Sequence, residues 1–517
     1  MNRSFWIWIR KHPLRSILIA GLALRTLASV YSPGYLMHDD HFLVVEAGAS
    51  WAVGEDYNNW MPWSQKKQGI VTPAPHQANL TYPGIISGYF RACKFIGLSD
   101  PMNQMVLLRW IHGLYSLLVV YFSYRIALKI GGNRPAIWTG VALATFGFLP
   151  MLSVRQLVEM VCIPPLLWSA WLVIRSERKT WKTWVLSGVG IGLATSLRYQ
   201  CGVFGLGWVV ALFIHEQQWQ KATLNSTLMG TAAACTFALG QAQDIFIWGE
   251  PFAQLRAYVN YNATHAAGYP QGFWHQYVWV VLGLLVPPFS FAWAFGTIRE
   301  IKRLAVLVIP PLAFFAFHSC YPNRQERFIL PSIPFIITAG SLGWDAFASH
   351  SRYWQRQPRL HDTIVAIGVT LSVILGVGLC FVQPKESRIE AMYSLLNQGD
   401  LENFLIVQTD YGALPPQFYS GTWKKYWISD LSTDVADHRK VMCNSPSDAF
   451  PNYIVFSGDR HLGEGIERYK SIYSTLTYVK QLPPSKWDRL LAALNPHNYA
   501  ERSVIYRIDP KIECASE

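Results

Sequence analysis

Apolar stretches of membrane length, separated by short polar segments, dominate the first three quarters of the chain. A helix that crosses the hydrocarbon core of a bilayer needs ~20 residues, and several of these stretches are shorter. The pattern predicts an all-α polytopic membrane protein with about eleven transmembrane helices. The stretches are Leu14–Tyr31, Leu107–Ala127, Ala136–Leu152, Val161–Ile174, Trp184–Ser196, Val203–Ile214, Leu228–Gln241, Tyr277–Phe295, Leu304–Phe317, Phe328–Phe347 and Ile364–Val382.

The pattern changes after residue 382, where short apolar runs alternate with polar, turn-rich segments. This alternation is typical of a soluble α/β domain. We therefore expect a membrane part over residues 1–382, with a long first outer loop over residues 32–104, and a soluble domain over residues 383–517. No catalytic motif stands out in that domain, so packing, acceptor binding or interaction is its expected role. Cys443 and Cys514 both lie there, and a disulfide between them or two free thiols both stay open.

Basic residues lie in alternate loops between the apolar stretches, which is the topology signal of an integral membrane protein. The formal net charge is +12, but the Lys and Arg form no continuous basic face that would suit a nucleic acid. With an uncleaved, cytoplasmic N-terminal anchor, the first loop and the C-terminal domain lie on the outer side, in the periplasm or the endoplasmic reticulum lumen. The basic residues of the inner loops are Arg125, Lys129, Arg134, Arg175, Arg178, Lys179, Lys182, Lys221, Arg299, Lys302, Arg303, Arg352, Arg356 and Arg359.

The tetrad His38-Asp39-Asp40-His41 follows the first apolar stretch directly. Carboxylates at the mouth of a hydrophobic bundle are costly unless chemistry needs them. A carboxylate between lipid and water suits a general base that acts on a lipid-borne substrate. A helix cap or a solvated loop start is the structural alternative. A metal site is the weaker option, because four consecutive residues cannot all converge on one ion.

Arginines at the outer ends of the predicted spans are candidates to bind a lipid phosphate, since a guanidinium forms bidentate hydrogen bonds to phosphate oxygens. Arg324 and Arg327 lie together, whereas Arg198 and Arg155 lie in separate outer segments. For a single arginine, snorkelling to the interface is the alternative. For Arg155, helical spacing from Glu159 also predicts a plain salt bridge.

A further group of polar and aromatic residues suits contacts to a sugar. Trp60 and Trp63 lie in the first loop, and Asp244, Asn262 and Trp274 lie in a later outer segment. Aromatic rings stack on sugar rings, but they are also enriched at every membrane interface. This group therefore does not decide the function alone.

Several segments, in the right order, resemble the GT-C mannosyltransferases that use dolichyl-phosphate-mannose in N-glycan precursor and GPI-anchor assembly. The resemblance covers roughly residues 14–344. The family's Pro-Asp-Glu motif is similar to His38-Asp39-Asp40, its Gly…Thr-Trp-Glu-Trp motif to Gly54…Asn59-Trp60-Met61-Pro62-Trp63, and its Ser-x-x-Pro motif to Leu80-Thr81-Tyr82-Pro83. Its Asp…Tyr-Gly…Asn…Pro-Trp-x-x-Tyr motif is similar to Asp244…Trp248-Gly249…Asn260-Tyr261-Asn262…Trp274-His275-Gln276-Tyr277. Its His-Lys-Glu-x-Arg-Phe motif is similar to Asn323-Arg324-Gln325-Glu326-Arg327-Phe328.

The chain departs from the family pattern at several of these motifs. Pro-Asp-Glu has become His-Asp-Asp, His-Lys-Glu has become Asn-Arg-Gln, and the family's Arg-Thr…Asn…Glu segment is reduced to Arg155…Glu159. The soluble tail has no match in the family pattern. These departures leave the donor sugar and the acceptor open, and a divergent bacterial member that uses an undecaprenyl-phosphate sugar would fit.

The resemblance implies an inverting membrane glycosyltransferase, in which Asp39 is the general base and Asp40 orients it. Arg327 and Arg324, with Arg198 and Arg155, would hold the donor phosphate, and the tryptophans would contact the sugars. A lipid-linked sugar donor and a glycan or glycolipid acceptor are the implied partners. No cofactor is required, because the leaving phosphate carries its own charge, and a divalent metal is not favoured.

Two other functions stay open at this stage. A lipid or sugar transporter would place its polar groups at mid-membrane, with repeats and broken helices. Here the polar groups collect on one face, which favours one-sided chemistry. The other alternative is an interaction protein whose acidic pair is vestigial. The bacterial inner membrane or, in a eukaryote, the endoplasmic reticulum membrane is the expected location.

Overall fold

The computed structural model describes residues 3–216, 218–269, 272–410, 414–446, 449–473, 475–495 and 499–508. Helices account for nearly all the regular structure before residue 382. Their bounds are α1 Arg3–Lys11, α2 Pro13–Tyr31, α3 His38–His41, α4 Ala47–Ala52, α5 Pro62–Lys67, α6 Thr81–Phe95, α7 Pro101–Gly131, α8 Asn133–Thr145, α9 Leu149–Leu152, α10 Val158–Val161, α11 Ile163–Arg175, α12 Trp181–Leu197, α13 Gly202–His215, α14 Trp219–Gly240, α15 Gln243–Trp248, α16 Ala253–His265, α17 Gln276–Leu284, α18 Phe289–Arg299, α19 Ala305–Cys320, α20 Ile333–His350, α21 Arg352–Arg356 and α22 Pro358–Leu379.

Each of the eleven predicted apolar stretches lies mainly on helical residues, which confirms an all-α membrane part. Within the described ranges, five segments are long and apolar enough to cross a membrane alone, and α17 with α18 form a sixth if the bent pair counts as one. The five are Pro13–Tyr31, Pro101–Gly131, Val158–Arg175, Glu326–His350 and Pro358–Leu379. The protein is an integral membrane protein, and the number of eleven spans stays a prediction.

Helix breaks explain why fewer segments reach full span length than the apolar pattern predicts. The predicted stretch Ala136–Leu152 divides between α8 and α9. The stretch Tyr277–Phe295 divides between α17 and α18, which are bent by 120°. Pro287 and Pro288 lie at that bend, and proline lacks the backbone N–H that would continue a helix. Periodicity alone does not show such breaks, because both halves of a broken span are equally apolar.

The chain folds into two compact units. The first, here called the membrane unit, comprises Met1–Val30, Asn59–Ile85 and Leu107–Phe381. Its helices approach closely at small residues. Where α18 meets α20, a Cβ on Gly343 would lie 2.0 Å from the carbonyl oxygen of Gly296, so only glycine permits this crossing.

The second unit, here called the sheet unit, comprises Tyr31–Asn58, Ile86–Val106 and Val382–Glu517. It contains a five-stranded mixed sheet in the order β2-β1-β3-β5-β4, in which β1 pairs in parallel with β2 and β3, and β5 pairs antiparallel with β3 and β4. The strands are β1 Phe404–Gln408, β2 Trp427–Asp430, β3 Tyr453–Gly458, β4 Leu476–Leu482 and β5 Arg502–Ile508, and the helices are α23 Glu386–Leu396, α24 Val435–Cys443, α25 Leu462–Lys470 and α26 Lys486–Leu494. The predicted α/β domain is therefore confirmed.

The core of this domain forms where the apolar runs of the sequence pair in the sheet. Leu405 is in register with Ile454, and Val455 is in register with Ile505. Cys443 is disulfide-bonded, and Cys514 lies outside the described residues. The sheet unit also contains two first-loop segments, residues 31–58 and 86–106, and the first of them carries the acidic tetrad.

Candidate active site

The two carboxyl groups of the tetrad lie in different environments. Residues 38–41 form the short helix α3, which follows Met37 in an extended conformation. Asp40 is 3% exposed, and its carboxylate accepts hydrogen bonds from the backbone N–H groups of Leu36 (3.2 Å) and Met37 (3.3 Å). Asp40 thus satisfies backbone donors at the helix start. Asp39 is half-buried, so it is the carboxyl group that a substrate reaches more readily.

The two histidines of the tetrad make structural contacts. His41 is 2% exposed, and its Nε2 lies 2.9 Å from Oε1 of the fully buried Glu46. Its ring stacks on Tyr35 at 4.9 Å and on Tyr419 at 5.6 Å between centroids. His38 is exposed, and its ring stacks on Phe42 at 4.6 Å. These contacts account for two residues that the family pattern leaves unexplained.

Glu46 is a residue that the sequence did not indicate. Both of its carboxylate oxygens lie 3.0 Å from the backbone nitrogen of Phe418, which donates to them. Burial raises the pKa of Glu46, and the contacts to His41 and Phe418 lower it in part. A π-helical turn at Phe42–Glu46 brings His41 and Glu46 together. A five-residue spacing does not share a face in an α-helix, so no periodicity could have paired them.

A cluster of buried charges lies in the membrane unit, where three distant segments meet. Oε1 of Glu159 lies 3.7 Å from Nη2 of Arg198 and 4.0 Å from Nε of Arg327. The three side chains are 2%, 3% and 8% exposed. Arg198 also donates to the carbonyl oxygen of Phe328 at 3.1 Å. Arg198 is therefore a buried side chain and not an interfacial anchor. Two guanidinium groups therefore lie beside one carboxylate.

Two atoms of this cluster have unused hydrogen-bonding capacity. Oε2 of Glu159 and Nη2 of Arg198 are buried and make no hydrogen bond to any part of the chain that the structure describes. Arg327 is oriented by Gln325, whose Oε1 accepts from its Nε at 3.0 Å and from its Nη2 at 2.7 Å. The unused donor of Arg198 suits a ligand with acceptor oxygens, whereas the unused oxygen of Glu159 only accepts hydrogen bonds.

The other two predicted phosphate ligands lie in different surroundings. Arg155 is 2% exposed. It does not share a helix with Glu159, because α10 begins at Val158, so the proposed helical salt bridge lacks its geometric basis. The four-residue spacing of Arg155 and Glu159 was misleading here, since Glu159 pairs with Arg198 and Arg327 from other segments. Arg324 is half-buried, and it donates to the carbonyl oxygens of Ser319 and Gly272.

The predicted sugar contacts differ in accessibility. Trp63 is 45% exposed and Trp274 is 72% exposed, whereas Trp60 is 2% exposed and stacks on His76 at 5.1 Å. The face of Trp60 that meets His76 is thus occupied. Asp244 is fully buried and accepts a hydrogen bond from the backbone of Gln254 at 3.0 Å, and burial raises its pKa.

Both the side chain and the backbone of Asn262 are hydrogen-bonded. Its side-chain amide donates to the carbonyl oxygen of Tyr258 at 2.8 Å, and its own carbonyl oxygen accepts from the hydroxyl of Tyr321 at 2.7 Å. Among the described residues, no group of three or more His, Cys, Asp or Glu could hold a metal ion. The expectation that no metal is needed stays a prediction.

The architecture and the comparisons together define a polytopic membrane glycosyltransferase of the GT-C superfamily. Residues 16–406 match the Alg9-like mannosyltransferase family, and the chain belongs to that family. This assignment favours transfer of a sugar over the transporter alternative. A search of curated proteins finds no match.

Solved structures share the fold at low sequence identity. ArnT from Cupriavidus metallidurans bound to undecaprenyl phosphate has a TM-score of 0.58 at 13% identity, over 98% of each chain. The Archaeoglobus fulgidus oligosaccharyltransferase in the apo form has a TM-score of 0.53 at 10% identity, over 93% of this chain and 75% of that one. The mycobacterial arabinofuranosyltransferase AftD has a TM-score of 0.50 at 14% identity, over 98% of this chain and 40% of that one. At these identities the likeness shows the fold alone.

Proposed function

We propose that the chain transfers mannose from a polyprenyl phosphate to a glycan or glycolipid acceptor on the outer face of the membrane, with inversion at the anomeric carbon. The observation that carries the proposal is the division of roles in the tetrad. One carboxyl group, Asp40, is engaged with the backbone, and its neighbour Asp39 is half-exposed. The family assignment supports mannose as the sugar.

The proposed reaction is a single displacement. Asp39 takes the proton from the acceptor hydroxyl while that oxygen attacks the anomeric carbon of the donor sugar. The bond between the anomeric carbon and the phosphate oxygen breaks, and the polyprenyl phosphate leaves with the bonding electrons. Asp40 fixes the turn that carries Asp39. The leaving group is an anion, so the step needs no cofactor to accept electrons or charge.

The arginine cluster would stabilise the charge that develops on the leaving phosphate. Arg327, with Arg324, is proposed to bind the phosphate oxygens. Arg198 pairs with Glu159 and packs against the rings of Phe314 and Phe328, which suits a positioning role beside Arg327. A direct phosphate contact by Arg155 stays a prediction. A neighbouring fold, that of ArnT, was solved with undecaprenyl phosphate bound, which supports a lipid phosphate as the donor.

The outer face is proposed for the acceptor as well. Trp63 and Trp274 are exposed, which suits stacking on sugar rings. Sugar contacts by the buried Asp244 and by Asn262 stay predictions. The disulfide at Cys443 fits an oxidising compartment outside the cytoplasm. In the bacterial inner membrane or the endoplasmic reticulum membrane, the proposed topology would place the sheet unit in such a compartment.

The test uses membranes that carry the chain, undecaprenyl-phosphate-[¹⁴C]mannose as donor and extracted lipids of the source organism as acceptor. Asp39→Asn should lower the transfer rate by about 10²-fold or more, the range typical of a lost general base. Asp459→Asn, at an exposed carboxyl of the soluble domain, is the matched control. Wild-type transfer by a folded Asp39→Asn variant would refute the role of Asp39.

A further inference from the structure

The segment before the acidic tetrad is held by residues that follow the last membrane helix. The hydroxyl of Ser32 donates to the carbonyl oxygen of Val382. At Gly34, a Cβ would lie 1.8 Å from the carbonyl oxygen of Pro384, so only glycine allows these two segments of the chain to approach this closely. Two segments far apart in sequence therefore meet backbone to backbone just before the tetrad.

Lys385 extends this contact toward the tetrad. Its Nζ donates to the carbonyl oxygen of Leu36 at 3.3 Å and lies 4.6 Å from the ring centroid of Tyr35. Its backbone has φ 56°, and its N–H faces both carboxylate oxygens of Asp488 at 3.1 Å. A non-glycine residue in the left-handed region is strained, and these contacts hold it there.

The segment after the tetrad is held at a second point by the same domain. The buried Glu46, which pairs with His41, accepts a hydrogen bond from the backbone N–H of Phe418 through its carboxylate. The ring of Tyr419 stacks on His41. The hydroxyl groups of Tyr57 and Tyr426 lie 3.4 Å apart. The C-terminal domain thus contacts the first loop on both sides of Asp39 and Asp40.

We propose that the C-terminal domain positions the Asp39–Asp40 turn for catalysis, and that Glu46 and Lys385 are its positioning residues. The inference rests on the proposed role of Asp39 as base. Proton transfer requires the base within hydrogen-bond reach of the acceptor hydroxyl, and a misplacement of ~1 Å can cost ~10²-fold in rate. A turn held at two flanking points meets this requirement, whereas a free outer loop would not.

Replacement of Glu46 tests the point after the tetrad. Glu46→Leu removes the acceptor of the Phe418 N–H and the partner of His41, whereas Glu46→Gln keeps an acceptor for Phe418. With undecaprenyl-phosphate-[¹⁴C]mannose, we expect Glu46→Leu to lower the rate at saturating donor by about tenfold or more, with the apparent donor KM within twofold of wild type. Glu46→Gln should keep at least about a third of the wild-type rate, because it preserves the backbone contact.

Replacement of Lys385 tests the contact of the C-terminal domain with the segment before the tetrad. It still tests the positioning role if Glu46→Leu does not fold. Lys385→Met removes the donor to Leu36, whereas Lys385→Arg keeps a cation that can reach the same carbonyl and the ring of Tyr35. The Met variant should lose rate at saturating donor by about five- to tenfold, and the Arg variant should lose less than twofold. Lys470→Gln, at an exposed surface pair, controls for loss of a lysine.

Hydrogen exchange provides a readout that does not depend on the reaction. In Glu46→Leu and Lys385→Met, amides of residues 35–50 should exchange at least about tenfold faster, while amides of β1 and β3 stay protected. If both variants loosen these amides but transfer at the wild-type rate, the positioning role is refuted. If the amides stay protected and the rate is unchanged, the proposed contacts do not hold the turn, and the inference also fails. Full transfer by Asp39→Asn would instead overturn the base assignment, so the two failures are distinguishable.

Discussion

Substitution of Glu159 by Gln tests whether the buried arginines of the membrane unit are held by this carboxylate and are available to a phosphate. In the structure, Oε1 of Glu159 lies 3.7 Å from a nitrogen of Arg198 and 4.0 Å from a nitrogen of Arg327. The variant keeps the shape and an acceptor oxygen but removes the negative charge. Both buried guanidinium groups would then lose the negative charge of Glu159.

The magnitude follows from these distances. At an effective dielectric constant of ~20, each ion pair has a Coulomb energy of about 4 kcal/mol, part of which offsets the cost of burying the charges. Loss of one partner of a buried pair costs roughly 3–5 kcal/mol. Because Gln still accepts a hydrogen bond, we expect a loss of ~3 kcal/mol, seen as a fall of at least ~3 °C in the denaturation midpoint.

The same variant should bind a lipid phosphate more tightly. Removal of the Glu159 charge makes the surroundings of the arginines more positive by one unit, and a gain of ~1.4 kcal/mol would lower the dissociation constant of undecaprenyl phosphate about tenfold. Added undecaprenyl phosphate should therefore restore more stability to Glu159→Gln than to the wild type, up to ~2.7 kcal/mol at a hundredfold excess over Kd.

The assay is thermal denaturation in detergent, with and without undecaprenyl phosphate. Glu467→Gln, which breaks an exposed pair with Lys470, should change the midpoint very little and serves as the control. An unchanged midpoint for Glu159→Gln would show that the carboxylate does not stabilise the arginines. A midpoint that falls without any rescue by the lipid phosphate would refute the phosphate-binding role of the cluster.

Other substitutions give independent checks. Arg327→Ala should raise the apparent donor KM by about tenfold or more in the labelled-mannose assay, and an unchanged KM would contradict the phosphate role. Burial lowers the pKa of Lys385 from 10.5 to about 8, so between these pH values the unfolded chain binds a proton that the folded chain lacks. The contribution of Lys385 to stability should therefore rise from pH 8 to 10.5, measured by chemical denaturation as the difference between the wild type and Lys385→Met. Trp60→Ala should lower stability by roughly 3–5 kcal/mol, as expected for a buried aromatic residue, whereas Trp63→Ala should have a small effect, and thermal denaturation compares the two.

The sequence predicted those features that depend on local pattern. Apolar stretches and turn-rich runs carry the period of their own secondary structure, so the membrane helices and the α/β domain were accessible without coordinates. The acidic tetrad was also predicted as a candidate site, because two carboxylates beside an apolar span are costly, and its role stays a prediction. The assignment of different environments to Asp39 and Asp40 was not accessible, since it depends on which carboxyl group meets the backbone of Leu36 and Met37.

Contacts between distant segments escaped the sequence for a physical reason. Glu159 pairs with Arg198 and Arg327, which come from other segments, and its four-residue spacing from Arg155 indicated a helix that the chain does not form. Glu46 gave no signal, because its link to His41 needs a π-helical turn and its link to Phe418 spans 372 residues. Only tertiary structure selects such partners.

The long sequence separation of Glu46 and Phe418 also determines when their contact can form during synthesis of the chain. Glu46 emerges early in synthesis, and Phe418 follows 372 residues later. At roughly 5–20 residues per second, the ribosome needs on the order of 20–75 s to produce the second residue after the first. Throughout that interval the acidic turn lacks the contact to Phe418, so this contact forms only after residue 418 has been synthesised. A chain released before that point would be a membrane protein whose acidic turn lacks this contact.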